Sequence, residues 1–256
     1  MIIEHNHKFK LDVGFATDKG KVRINNEDNY KILPEFNLFV IADGMGGHNG
    51  GEIASKIAIE TVEEYFKTYY SQVDSNIDNY VKKMLLRSIS LANEKILSEA
   101  KLNSKLFGMG TTIVLGLVSN DDVFISNLGD SRSYIIKKNG IKKIKQITQD
   151  HTLLAQKLNE GIISNRNIKN NPYRHILTQA LGISDIVNPF FSQFKLENGD
   201  YLLFCTDGLT EMLGDNEIFE LIDVNYSCQK ICNKLIYSSN LRGGLDNITS
   251  ILVKSI

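Results

Sequence analysis

The side chains best suited to chemistry are acids at the margins of apolar runs. Asp43 follows Leu38-Phe39-Val40-Ile41-Ala42 and precedes Gly44-Met45-Gly46-Gly47-His48-Asn49-Gly50-Gly51-Glu52. Glycines let the backbone turn sharply and pass close to whatever a neighbouring carboxylate holds. A lone Asp-Gly turn is among the commonest connections in proteins, so this one takes its meaning from company. Leu202-Leu203-Phe204-Cys205-Thr206 runs into Asp207-Gly208, Val123 to Leu128 runs into Gly129-Asp130, and Asp246-Asn247 stands directly before Ile248 to Val253. If these strands are neighbours, the acids meet, and unneutralised carboxylates in one cleft demand protonation or cations.

A site built from aspartate oxygens suits Mg²⁺ or Mn²⁺. Two such ions about 3.5–4 Å apart can share a water, lower its pKa and hold it for in-line attack on phosphorus. A phosphate ester also needs a cation on its non-bridging oxygens, and arginine matches them bidentately. Arg23, close to the acidic pair Glu27 and Asp28, is the candidate. The leaving alkoxide needs a proton, and His48, the only histidine in the glycine turn, is the candidate donor. The other histidines, His5, His7, His151 and His175, are scattered. The chain lacks His-Glu-x-x-His, Cys-x-x-Cys, Gly-x-Ser-x-Gly and Gly-x-x-x-x-Gly-Lys-Ser/Thr, so zinc-hydrolase, serine-nucleophile and P-loop chemistry lose their usual signatures.

The elements that must carry these residues follow from periodicity. Phe9, Leu11, Val13 and Phe15 alternate as on a strand with one buried face. Val22 to Tyr30 is polar and reads as a loop. After the Asp43 turn, Ala54, Ile57, Ala58, Val62, Tyr65, Phe66 and Tyr69 mark one helix face, and Ile77 to Ile96 repeats the pattern. Short apolar runs between Gly110 and Ile147, separated by polar turns, predict an antiparallel meander. A short helix is expected from Thr152 to about Glu160, closed by Gly161, inside an irregular stretch over about 151–176 that reads as a flap. The chain closes with a strand at Tyr201 to Thr206, helices near Glu217 to Ile222 and Cys228 to Ser238, and a strand at Ile248 to Val253. Consecutive strands with paired helices favour an α+β layered fold over a parallel doubly wound sheet.

At 256 residues, 42% of them hydrophobic, the chain can bury one sizeable core. Lys plus Arg (29) nearly balances Asp plus Glu (30), which speaks against a nucleic acid or a membrane surface as partner. Cys205, Cys228 and Cys232 read as buried free thiols. Met1 to His5 lacks the character of a signal peptide, and no apolar run approaches the about 20 residues needed to cross a bilayer. A cytoplasmic location is expected.

Arg23-x-x-Asn26-Glu27-Asp28, Asp43-Gly44-Met45-Gly46-Gly47-His48, Gly110-Thr111-Thr112, Gly129-Asp130-Ser131-Arg132, Leu177-Thr178-Gln179-Ala180-Leu181-Gly182, Thr206-Asp207-Gly208-Leu209 and Asp246-Asn247-Ile248-Thr249 occur in the order found in bacterial type 2C (PPM) serine/threonine protein phosphatases. The chain resembles that family from about residue 8 to 254. The resemblance implies a four-layer αββα sandwich, two central antiparallel β-sheets flanked by helical layers, formed by one catalytic domain over 1–256. It further implies a binuclear Mn²⁺ or Mg²⁺ centre. Carried over by motif, Asp43 bridges the ions, the Gly44 carbonyl ligates one, and Asp207 and Asp246 ligate the other. Glu27 and Asp28 match the acidic pair that acts directly or through metal waters, Arg23 matches the phosphate-binding arginine, and Asp130 with Asp207 matches the holders of a third, weaker ion. Animal members carry histidine directly after the Asp-Gly pair, where this chain has Met45.

The expected activity is hydrolysis of phosphoserine and phosphothreonine in proteins, opposing a serine/threonine kinase, by a monomer. The alternative is a catalytically silent phosphatase-like module that binds phosphoproteins. Such a module would be expected to lack a metal carboxylate, and Asp43, Asp207 and Asp246 are all present. A two-metal nuclease is disfavoured by the near-neutral charge and the absence of a basic, aromatic-laced stripe.

Overall fold

The computed structural model describes residues 1–3, 10–46, 50–70, 77–138, 143–163 and 171–256. Strands β1 (Ile2–Ile3), β2 (Leu11–Asp18), β3 (Asp28–Leu33) and β4 (Leu38–Met45) precede the long helices α1 (Gly50–Tyr69) and α2 (Ile77–Leu102). Then come β5 (Gly110–Thr111), β6 (Ile113–Ser119), β7 (Asp122–Leu128), β8 (Arg132–Lys137), β9 (Lys143–Gln146) and α3 (Leu153–Asn159). The chain ends with β10 (Phe190–Lys195), β11 (Tyr201–Cys205), α4 (Asp207–Met212), α5 (Asp215–Leu221), α6 (Cys228–Leu241) and β12 (Ile248–Ser255).

One sheet has the order β1-β2-β12-β11-β8-β9 and the other β10-β7-β6-β4-β3, with β5 on the end of β4. Every pairing is antiparallel. The continuous apolar runs are explained by the layering, because the central strands are buried on both faces. In β4, Phe39 and Ile41 point between the sheets, while Leu38, Val40 and Ala42 point to the α1–α2 layer. In β11, Leu202 and Phe204 face the other sheet, and Tyr201, Leu203 and Cys205 face the layer containing α6. Phe39 and Phe204 stack across the sandwich with centroids 5.9 Å apart. The observed architecture is the four-layer α+β sandwich that the motifs imply.

Helix α1 buries Ala54, Ala58, Val62 and Phe66 at i, i+4 spacing, whereas Tyr69 at its end is exposed. Helix α3 forms within the short helix expected before Gly161: Thr152 caps it, its Oγ1 accepting from the Ala155 amide at 3.2 Å, and Gly161 takes a positive φ of 72° beyond its end. The rest of the expected flap falls partly on 164–170, outside the described residues. All three cysteines are free and buried.

The structure departs from the sequence reading in specific places. The expected meander over Gly110 to Ile147 divides between the sheets: β5, β6 and β7 stay with β4, and β8 and β9 join β11. The chain changes sheet at Gly129-Asp130-Ser131, so an apolar pattern that looks continuous serves two layers. The polar stretch at 22–30 ends in strand: Asp28 to Tyr30 open β3, an edge strand that pairs with β4 alone among the described residues. Strand β10 is likewise an edge, pairing with β7. Phe15 does not join the core as its alternation suggests; it is exposed beside Tyr30, with ring centroids 5.1 Å apart.

The central aromatic contact makes a stability test. Phe204→Ala leaves a cavity between the sheets and is expected to cost about 3–5 kcal/mol, read as a lower urea midpoint with an unchanged m-value.

Candidate metal centre

Register collects the acids at one end of the sandwich. Asp28, the first residue of β3, pairs with Asp43 near the end of β4. Cys205 of β11 pairs with Ser250 of β12, and the Thr206 amide then donates to the Thr249 carbonyl at 3.1 Å. That bond leaves Asp207, which opens α4, beside Asp246-Asn247. Asp28 Oδ2 joins the two sheets by accepting from Thr206 Oγ1 at 3.0 Å and Thr249 Oγ1 at 2.6 Å.

A cavity of about 1040 Å³ is lined by Arg23, Glu27, Asp43, Gly44, Asp130, Asp207, Glu211 and Asp246 among others. Asp28 is buried beside it. Of the site residues expected from sequence, all but His48 are therefore brought together; His48 lies outside the described residues. Glycine is required where backbones meet here. A Cβ on Gly44 would overlap the Gly51 backbone, and one on Gly208 would overlap the Asn247 carbonyl oxygen.

The carboxylates are poorly compensated. Burial raises the pKa of Asp28 to about 7 against the pull of its two threonine hydrogen bonds. Burial, then repulsion from Glu211 and Asp246, raises Asp207 to about 6. Asp43 is held well above the usual carboxylate range by burial and then by Asp28, Asp207, Asp130 and Asp246. Asp130 is shifted the same way by burial, Asp207 and Asp150, and burial raises Glu27. Against them stands Arg23, whose Nη2 lies 2.7 Å from Asp246 Oδ2 and whose own pKa this bond raises. Asp28 Oδ1 is buried without a hydrogen-bond partner. An oxygen-only cluster with surplus negative charge and an orphaned carboxylate oxygen fits Mn²⁺ or Mg²⁺.

Hydrogen bonds hold the acids in place through residues to which the sequence analysis gave no role. Thr112 Oγ1 accepts from the Asp43 amide at 3.1 Å and shares a 2.7 Å bond with Ser131 Oγ in the Asp130 turn. Thr111 Oγ1 donates to the Asp43 carbonyl at 2.8 Å. Asn247 Oδ1 accepts from the Glu27 amide at 2.8 Å, and its Nδ2 donates to the carbonyls of Lys19 and Asn25. His151 does not enter the cavity lining; its Nδ1 accepts from the Gly129 amide at 3.1 Å and its own amide donates to the Gly129 carbonyl at 2.9 Å. Burial lowers its pKa, in keeping with a neutral acceptor.

Glu211 and His175 were also missed. His175 Nδ1 lies 2.7 Å from Glu211 Oε1, and ligand atoms of His175, Asp207 and Glu211 all fall within 4.8 Å of one another. Glu211 was in principle legible, since it stands four residues after Asp207 and so shares its helix face. His175 comes from a distant part of the chain, with no local signal.

Residues 20–235 match the protein phosphatase 2C family, and the chain belongs to it. It is 33% identical over 243 residues to the serine/threonine phosphatase stp of Listeria welshimeri, covering 94% of each chain. The crystal structure of the serine/threonine phosphatase Stp1 from Staphylococcus aureus superposes with a TM-score of 0.87 at 32% identity, covering 98% of this chain and 97% of that one. The catalytic domain of the serine/threonine protein phosphatase PstP in complex with two manganese ions gives a TM-score of 0.81 at 27% identity, covering 96% and 98%.

The raised pKa values set the pH dependence of the metal-free protein. Asp28 and Asp207 keep protons in the folded state at pH values where the unfolded chain has lost them, so folding takes up protons between about pH 4 and pH 7. Stability of protein stripped with a chelator is therefore expected to fall as pH rises through that window. Thermal melts should show a higher Tm at pH 5 than at pH 8, and saturating Mn²⁺ should restore the loss at pH 8.

Proposed function

We infer that this chain is a metal-dependent protein phosphatase that hydrolyses phosphoserine and phosphothreonine monoesters in proteins. The observation that carries the reading is the meeting of Asp43, Asp207 and Asp246, remote in sequence, around one cavity with Arg23 at its edge. Family membership supports it independently. The catalytically silent alternative has no supporting observation.

In this reading Asp43, the Gly44 carbonyl, Asp207 and Asp246 would hold two Mn²⁺ or Mg²⁺ ions. Glu27 and Asp28 would support them directly or through water, and Asp130 with Asp207 would hold a third, weaker ion. When bound, the ions supply Lewis acidity, activating a water for in-line attack on phosphorus and drawing charge from the phosphoryl oxygens. Arg23, exposed at the rim, turns N–H donors of its guanidinium from Asp246 to the non-bridging oxygens and orients the ester. Thr112 and Asn247 hold the Asp43 and Glu27 backbones, so the acids need no reorganisation during turnover. His48 remains the candidate proton donor to the leaving alkoxide. The enzyme works as one catalytic unit and a monomer in the cytoplasm, opposing a serine/threonine kinase. No helix among the described residues is long and apolar enough to cross a membrane, in keeping with that location.

Dephosphorylation of a phosphothreonine peptide is expected only with Mn²⁺ or Mg²⁺ present. Asp43→Ala and Asp207→Ala should each abolish turnover, and Arg23→Ala should act chiefly by raising KM. Robust activity in purified protein with excess chelator would overturn the reading.

A further inference from the structure

Around the mouth of the cavity the wall changes from acidic to aliphatic. Val22 and Ile24, on either side of Arg23, are 61% and 89% exposed, and Leu245, next to Asp246, is 53% exposed. The Lys21 amide donates to the Gly244 carbonyl at 2.7 Å, which fastens these two stretches together. A second aliphatic group forms at the β5 end, where Ile183 is 54% exposed. There a Cβ on Gly110 would lie 2.8 Å from Met45 Cε and 3.1 Å from Ile183 Cδ1, so both side chains close over that glycine. Val22, Ile24, Leu245, Met45 and Ile183 all line the cavity that holds the carboxylates.

Single exposed aliphatic residues are ordinary, but several gathered at one cleft mark a contact surface. Charge narrows the occupant. Among the described lining residues, Arg23 alone carries a permanent positive charge, and it is bonded to Asp246. Among the described lining residues, acidic side chains beside a phosphorylated residue meet no arginine or lysine other than Arg23. Aliphatic or aromatic ones would cover the exposed rim, each gaining apolar burial.

We propose that this rim docks the polypeptide on both sides of the phosphorylated residue and selects phosphoproteins with aliphatic or aromatic, not acidic, side chains next to it. The inference rests on the phosphatase reading and adds the substrate's flanking chemistry. The phosphoryl group reaches the carboxylate floor, whereas Ile24 and Ile183 touch only what flanks it. Their removal therefore changes specificity without changing the chemistry of hydrolysis.

The test uses the Mn²⁺-loaded full chain and phosphothreonine peptides that differ only at the neighbouring positions, leucine or valine against aspartate. The aliphatic peptide is expected to show kcat/KM about 10-fold higher. Ile24→Ser combined with Ile183→Ser, both at exposed positions, should bring the two peptides to within about 2-fold. The same variant should hydrolyse N-acetyl phosphothreonine methylamide, which has no flanking side chains, at the wild-type rate. Equal kcat/KM for the two peptides with wild-type protein, or an unchanged preference in the double variant, overturns the rim proposal and leaves the phosphatase reading standing. Failure of wild-type protein to hydrolyse any of these substrates overturns the phosphatase reading itself.

Discussion

Like charges forced together at one end of a β-sandwich are the constraint on which the rest of this structure depends. Asp28, Asp43, Asp130 and Asp207 each carry a pKa raised first by burial and then by another acid nearby. Burying several carboxylates with only Arg23 on Asp246 and, farther round, Arg132 near Asp130 and Arg174 near Glu211 is unfavourable unless protons or cations make up the difference. The same imbalance that strains the metal-free fold prepares a seat for divalent ions. Stability and function thus draw on one electrostatic deficit.

The sandwich has to be rigid enough to hold that deficit. Its two sheets are joined through the core by contacts such as Phe39 with Phe204, and at the site through Asp28, which reaches from β3 to Thr206 at the end of β11 and Thr249 in β12. The strand ends are locked to one another by short polar bonds from Thr111, Thr112, Ser131 and Asn247. An apolar interior that resists shear and a polar layer that fixes backbone positions together keep the acids at closely spaced points. Neither layer alone would do so, because hydrophobic packing is non-directional.

Separation of tasks between floor and rim follows from the same geometry. Carboxylates occupy the floor, where strand ends and glycines allow close backbone approach, and Arg23 stands at the edge within reach of both water and Asp246. Residues outside this polar floor are free of its electrostatic demands. Aliphatic side chains at Val22, Ile24, Leu245 and Ile183 can therefore face solvent without disturbing the cluster.

Much of this was legible in the linear order of residues. Apolar runs ending in Asp-Gly or Gly-Asp, an arginine near an acidic pair and paired amphipathic helices are local patterns, and local patterns survive being read one residue at a time. They pointed to the metal chemistry, the α+β class and, Glu211 apart, the carboxylates that gather at the cavity. What tertiary contact alone decided is which runs lie side by side. The passage of the chain from one sheet to the other at Gly129-Asp130-Ser131 cannot be told from a hairpin by periodicity, since the central strands of both sheets read as the same continuous apolar runs. Strands β3 and β10 are edges whose apolar residues are mostly half-buried, Tyr30 and Ile32 in one and Phe190, Phe191 and Phe194 in the other. The meeting of His175 with Glu211, the orphaned oxygen of Asp28 and the aliphatic rim depend on contacts between distant segments, and no local spacing encodes a distance across the fold.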